Sequence, residues 1–243
     1  MRMLTFAKRN AREILRDPLN LCFGLGFPLV LLLLLSAIQA SIPVSLFEIS
    51  HLTPGITVFG LSFMTLFSAL IIAKDRSSAL LQRLYATPMT AADFILGYLL
   101  PMLPIAAAQC LLTYAVALLF RLPFTANILL ATLLNLPTAL FFVSLGLLFG
   151  SILNDKQVGG ICGALLTNLS AWLSGIWFDL ALVGGVFEKI AYALPFVHAV
   201  EMARAAISGN FSAILPHLAV VLAYTAATLI AAILLFLRQM KRQ

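Results

Sequence analysis

The residues able to catalyse a reaction or hold a metal are few and scattered. His51, His198 and His217 are spread out and no H-E-x-x-H pattern joins them, so neither a metal centre nor an intramembrane metalloprotease is expected. Cys22, Cys110 and Cys162 are odd in number and far apart, which argues against a disulfide framework and a zinc site. No G-x-x-x-x-G-K-S/T loop is present to cradle phosphates, so ATP hydrolysis by this chain is not expected. The most informative segment is 74–93. Asp75 or Ser77 can cap a short helix there, with Leu80, Leu81 and Leu84 on one face and Gln82 and Arg83 turned away. Thr87-Pro88 stops it, and Thr90-x-x-Asp93 is a capping box that opens the next helix. A connection of about 20 residues is long for an idle loop. It reads as a helix that docks on a partner, against the alternative of a plain polar connector.

The elements that must hold this segment follow from composition and charge. Of 243 residues, 62% are hydrophobic and 10% charged, against about 45–50% and 25% in a soluble domain. That excludes a soluble fold and a disordered chain. Long uncharged stretches cover 18–47, 49–73, 94–120, 122–154, 157–178 and 205–237. Each exceeds the roughly 20 residues a helix needs to cross the hydrocarbon core. The expected fold is an all-α integral membrane protein with six spans, at about 19–39, 54–73, 94–119, 127–150, 157–178 and 216–237. Alternating sides puts twelve of the 15 Lys and Arg on one face of the membrane and three on the other. The richer face is the cytoplasm, with both termini inside. The net charge of +6 is thus a topology signal and not a nucleic-acid footprint.

Residues 1–18 carry Leu4, Ala7, Ala11, Ile14 and Leu15 on one helical face and Lys8, Arg9, Arg12 and Arg16 on the rest. This is a basic amphipathic helix expected to lie in the cytoplasmic interface. Gly24, Gly26 and Pro28 loosen the first half of span one, and Pro54 suits the first position of span two. The outward segment 179–215 is apolar but broken by Gly184-Gly185, Glu188-Lys189, Pro195, Glu201 and Arg204. Its pieces are too short to cross and fit a re-entrant or interfacial helix pair. Trp172, Trp177 and Tyr192 belong to an outer aromatic belt. Residues 238–243 form a cytoplasmic tail.

No ionisable residue falls at the centre of a span, which weakens an ion-coupled transporter. Gln109, Thr113, Asn135 and Asn168 are neutral polar groups that either line a pathway or tie helices together. Gly146-x-x-x-Gly150 and Gly159-x-x-x-Gly163 flank a short turn. They pack spans four and five as a hairpin or form a subunit interface. On these grounds alone the chain is a membrane protein with no energy source of its own. It is a transport subunit powered by a partner, or an ATP-independent transporter or assembly factor.

Several of these pieces together resemble the type-2 ABC (ATP-binding cassette) transporter permeases, mostly bacterial exporters. The resemblance covers nearly the whole chain. It rests on Arg16-Asp17-Pro18, Thr53-Pro54-Gly55, Asp75-Arg76 with Leu81-Gln82-Arg83-Leu84 and Thr87-Pro88-Met89, and Ser174-Gly175-Ile176. It also rests on Leu194-Pro195-Phe196-Val197-His198-Ala199-Val200-Glu201 followed by Arg204. Asp75 stands where the family often has Glu, and Asp179 where many members have Pro. The resemblance implies a connecting helix at 1–18 and a coupling helix at 75–88. Asp75, Arg76, Leu81, Arg83, Leu84, Thr87 and Pro88 would be its ATPase-coupling residues. It implies an outer gate at 180–208 with Pro195, His198, Glu201 and Arg204, and a dimer seam near Gly159 and Gly163. Two copies of a separate ATPase would carry the ATP and Mg, with no cofactor on this chain. The second permease chain would be identical or a paralogue. The cargo would be amphipathic and drug- or lipid-like, or within the family a polysaccharide or glycolipid. The site of action would be the bacterial inner membrane.

Overall fold

The computed structural model describes residues 2–43, 47–78, 80 and 89–240; Leu81, Arg83, Leu84, Thr87 and Pro88, most of the expected docking helix, lie outside the described residues. The described residues form helices and no strands. A surface helix, α1 (Arg2–Leu15), leads into α2 (residues 18–41), whose turn at Cys22–Gly26 is π-helical. Then come α3 (Ile49–Ser77), α4 (Ala91–Leu119, bent at Pro101), α5 (Asn127–Ile152) and α6 (residues 155–172, π-helical over Gly159–Leu166). The last elements are α7 (Gly185–Ala193), α8 (Pro195–Ser208) and α9 (Ile214–Met240).

Five helices among the described residues are long and apolar enough to cross a membrane: Cys22–Ser41, Ile49–Ser77, Ala91–Leu119, Asn127–Ile152 and Phe211–Arg238. The span expected at 157–178 is the shorter α6, which ends at Trp172. Asp155, Lys156 and Asn168 make it less apolar than its neighbours. α7 and α8 meet at 76°. Phe196, just past the elbow, stacks on Phe142 at 6.1 Å, near the middle of α5, while the far end of α8 receives a hydrogen bond from Asn127 at the start of α5. The pair therefore dips to mid-bundle and returns to the same end.

α3 is the axis of the bundle, buried along nearly its whole length. Lipid is as apolar as leucine, so helices associate here by close packing more than by the hydrophobic effect. α3 permits this with Gly55, Gly60, Ser62, Thr65, Ser68 and Ala69, and α5 answers with Gly146 and Gly150. A Cβ on Gly150 would lie 2.7 Å from the Ala69 carbonyl oxygen, and one on Gly146 2.6 Å from that of Thr65. Thr65 also donates across the seam to the Phe142 carbonyl at 2.9 Å. The expected α5–α6 hairpin packing through these glycines is thus corrected. Gly146 and Gly150 face α3, Gly163 meets Leu66 of α3, and α6 packs along α3. Spacing shows that a close approach exists but not which helix makes it.

Pro54 is a second correction, because α3 starts at Ile49 and Pro54 lies inside it. Thr53 donates its hydroxyl to the Ile49 carbonyl one turn back at 2.6 Å, and the N–H that Pro54 lacks would have served the Ser50 carbonyl. In α1 the buried face is Phe6, Ala7, Asn10 and Ile14, whereas Leu4 and Leu15 of the expected apolar stripe are exposed. Phe6 packs on Phe94 and Tyr98 of α4, and so does Phe236 near the end of α9. Both ends of the chain therefore lie at one end of the bundle, called basal below.

Candidate functional site

At the basal end the last turn of α3 is the meeting point of four helices. Asp75 or Ser77 was expected to cap a new helix; instead α3 runs through both, and the Asp75 carboxylate is 1% exposed. A buried carboxylate needs charged or hydrogen-bonding partners. Asp75 Oδ2 accepts from Arg9 Nη1 of α1 at 2.6 Å and from the Tyr98 hydroxyl of α4 at 2.9 Å. Arg9 also meets Glu13 at 2.5 Å and Asn10 at 2.8 Å. Burial alone would lower the Arg9 pKa, but the hydrogen bond and charge of Asp75 outweigh it, and the guanidinium stands above its ordinary value. Asn10 donates to the Gly97 carbonyl at 3.0 Å. Gly97 has no side chain because Phe6 occupies the place, 2.3 Å from where a Cβ would be.

Arg76 turns the other way. It donates to the Gly150 carbonyl at 3.0 Å and to that of Ser151. These are unpaired carbonyls of the last turn of α5, where the negative end of the helix dipole favours a cation. Lys74 approaches Asp17 at 3.6 Å. Three successive residues thus tie the root of the 81–88 segment to α1, α4, α5 and the start of α2. Downstream, Thr90 and Asp93 form the expected capping box, with the Asp93 amide 3.2 Å from the Thr90 hydroxyl.

In the interior, Gln109 and Thr113 are buried and bonded to each other at 3.3 Å, and Gln109 donates to the Thr57 carbonyl at 3.4 Å. They tie α4 to α3. Asn135 on α5 is fully buried beside the Tyr114 hydroxyl of α4, outside good hydrogen-bonding geometry. Asn168 is not brought to this group. It lies on an exposed face of α6 and donates to the Ala164 carbonyl at 2.8 Å. Gly159 shares exposure with it, with nothing within 4 Å of an added Cβ.

At the opposite end, α8 wedges between α3, α5 and α9 with Pro195 in its first turn. Arg204, 11% exposed, pairs with Glu201 at 2.7 Å. It also donates to the carbonyls of His51 at 3.2 Å and Gly175 at 3.0 Å. Those two carbonyls belong to the start of α3 and to the turn after α6. His198 and His217, distant in sequence, are corrected to neighbours, with their Nδ1 atoms 2.8 Å apart. An open cleft of about 710 Å³ is lined by Glu48, His51, Asn127, Glu201, Arg204 and His217 among others.

The family described as ABC-2 type transporter matches residues 1–208, from α1 to the end of α8. The chain belongs to the ABC-2 type transporter family. No curated protein matches it individually. As an ABC-2 permease it is a membrane transport component, and such permeases generally work with an ABC ATPase.

For this permease the sequence reading singled out Asp75, Arg76, Glu201 and Arg204 but not the residues that hold them. Arg9 was read as part of the basic face of residues 1–18, and neither Asn10 nor Tyr98 was singled out. Only the paired Gly97 and Phe6 left a trace in the sequence, a small residue in one helix and a ring in another, and nothing local joins them.

Proposed function

We propose that this chain is the membrane-spanning permease subunit of an ATP-driven exporter, with the basal end in the cytoplasm. Counting α6 as a crossing gives six spans. Its 18 residues rise about 27 Å, close to the roughly 30 Å hydrocarbon core. An even number is what two termini at one end require. Twelve of 15 basic residues then fall on the cytoplasmic side, the orientation of a bacterial inner-membrane protein. Two ATPase subunits, holding ATP and Mg, would dock on 75–88, and a second permease chain would complete the path. Amphipathic drug- or lipid-like molecules are the proposed cargo, and 180–208 is the outer gate.

The observation that carries the reading is the Asp75 junction. A segment that only connected two spans would need no buried ion pair at its root. Here a push on 81–88 passes through Lys74, Asp75 and Arg76 into α1, α2, α4 and α5 at once. The test is affinity purification of the tagged chain from its native membranes. A stoichiometric ATPase with a phosphate-binding loop is expected. Arg83→Ala and Leu84→Ala should insert normally but lose ATP-dependent transport. Full transport by those variants, or a chain that purifies without any nucleotide-binding partner, overturns the docking assignment.

A further inference from the structure

We propose that His198 and His217 form a proton-controlled latch that holds the re-entrant helix α8 against α9, closed when the pair shares one proton and released when each ring takes its own. The rings come from different elements, and their Nδ1 atoms are 2.8 Å apart. Two bare lone pairs or two N–H groups would repel at that distance, so the contact requires one proton between the two nitrogens. The tautomer follows from the other contact. His198 Nε2 lies 3.0 Å from the Tyr192 carbonyl, which only accepts, so Nε2 carries a proton. In the neutral pair His198 Nδ1 is therefore the acceptor and His217 Nδ1–H the donor. That leaves the His217 Nε2 lone pair free to take a proton.

The same geometry argues against a chelated metal. The ring centroids are 5.1 Å apart while the facing nitrogens are 2.8 Å apart, so the rings point nearly head-on, along a hydrogen bond. A metal would need both lone pairs to converge off that line at about 2.0–2.1 Å from it.

Counting protons gives the direction. The closed pair can take up one proton, on His217 Nε2, and keep its bond. A further proton has only His198 Nδ1 to go to, where it destroys the acceptor. Two separated rings take up two. In acid strong enough to charge both separated rings, the open form thus binds one more proton than the closed form, and acid favours opening, by up to about tenfold per pH unit. The neighbouring titratable groups are Tyr192 on α7, Glu201 and Arg204 on α8, His51 on α3 and Tyr224 on α9. Glu201 and Arg204 already neutralise each other at 2.7 Å. Tyr224 is engaged with the Ala193 carbonyl at 2.5 Å.

The latch is a property of the fold, and only its consequence for export rests on the permease reading. It is therefore tested without transport. The full chain in lipid nanodiscs, with Cys22→Ser, carries spin labels at Ser208→Cys and Leu222→Cys, exposed sites on α8 and α9. The α8–α9 distance distribution is recorded by electron spin resonance at pH 8 and pH 5. The closed distance is expected to dominate at pH 8 and a longer one to grow in at pH 5. His217→Asn, whose amide can donate or accept in place of Nδ1, should stay closed at both. Glu201→Gln should behave like the parent. Identical distributions of the parent at both pH values overturn the latch. So does an unchanged pH response in His217→Asn, or its loss in Glu201→Gln.

Discussion

Arg9 and Asp75, 66 residues apart in sequence, meet at 2.6 Å, with the arginine 37% exposed and the aspartate 1%. The asymmetry fixes what removing each partner does. Without Arg9, a carboxylate is left buried with a tyrosine hydroxyl as its remaining contact. Breaking a fully buried pair costs about 3–5 kcal/mol, and partial exposure of Arg9 reduces that to about 2 kcal/mol. Arg9→Ala should therefore destabilise the permease in detergent more than Asp75→Asn, which removes the charge but keeps a polar group beside Tyr98. The double variant should recover part of the Arg9→Ala loss, a coupling readable from a thermal-unfolding double-mutant cycle.

Gly97 makes a second, independent attachment of α1. A methyl group there would enter the Phe6 ring, which sits between Phe94 and Tyr98. Overpacking of this kind costs about 1–3 kcal/mol. Gly97→Ala should loosen α1, and trypsin should then cleave it after Arg12 and Arg16 several-fold faster. Phe6→Leu in the same chain should restore part of the protection, since a smaller side chain makes room for the methyl.

What was legible in the sequence is what local chemistry decides. Uncharged length marks the long spans, the Thr90–Asp93 capping box starts α4, and Gly184, Gly185 and Pro195 break the outer segment into its helices. What was not legible depends on which helix faces which. Asp75 in isolation reads as a cap, because nothing near it shows that Arg9 and Tyr98 surround it. The glycine pairs announce close packing without naming α3 as the partner. His198 and His217 are 19 residues apart, and only the bend of α7 on α8 and the return of α9 set them ring to ring. α6 ends at Trp172, before the uncharged run does, because the chain turns at 173–175, where Gly175 takes a positive φ.

Gly150 and Gly159 should respond oppositely to enlargement. Gly150→Leu would drive a side chain into the Ala69 backbone, 2.7–2.9 Å from the Cβ position, so the α3–α5 seam must open and folded yield should fall sharply. Gly159→Leu points into open space and should leave yield and melting temperature within about 0.5 kcal/mol of the parent. If this face of α6 seats the second permease chain, Gly159→Leu should still shift the purified protein toward monomer. Light scattering in a mild detergent reads that directly.

Asn135 separates structure from transport. Its amide is buried beside the Tyr114 hydroxyl, outside good hydrogen-bonding geometry, and a buried group left without a full partner costs up to about 1–3 kcal/mol. Asn135→Leu should therefore raise the unfolding midpoint of the purified permease. If Asn135 lines the transport path, the expectation is a more stable protein that binds an ATPase normally and exports more slowly, by tenfold or more. The reading is a paired measurement on one preparation, thermal unfolding and ATP-driven efflux from proteoliposomes. A stabilised variant with full efflux would assign Asn135 to packing alone.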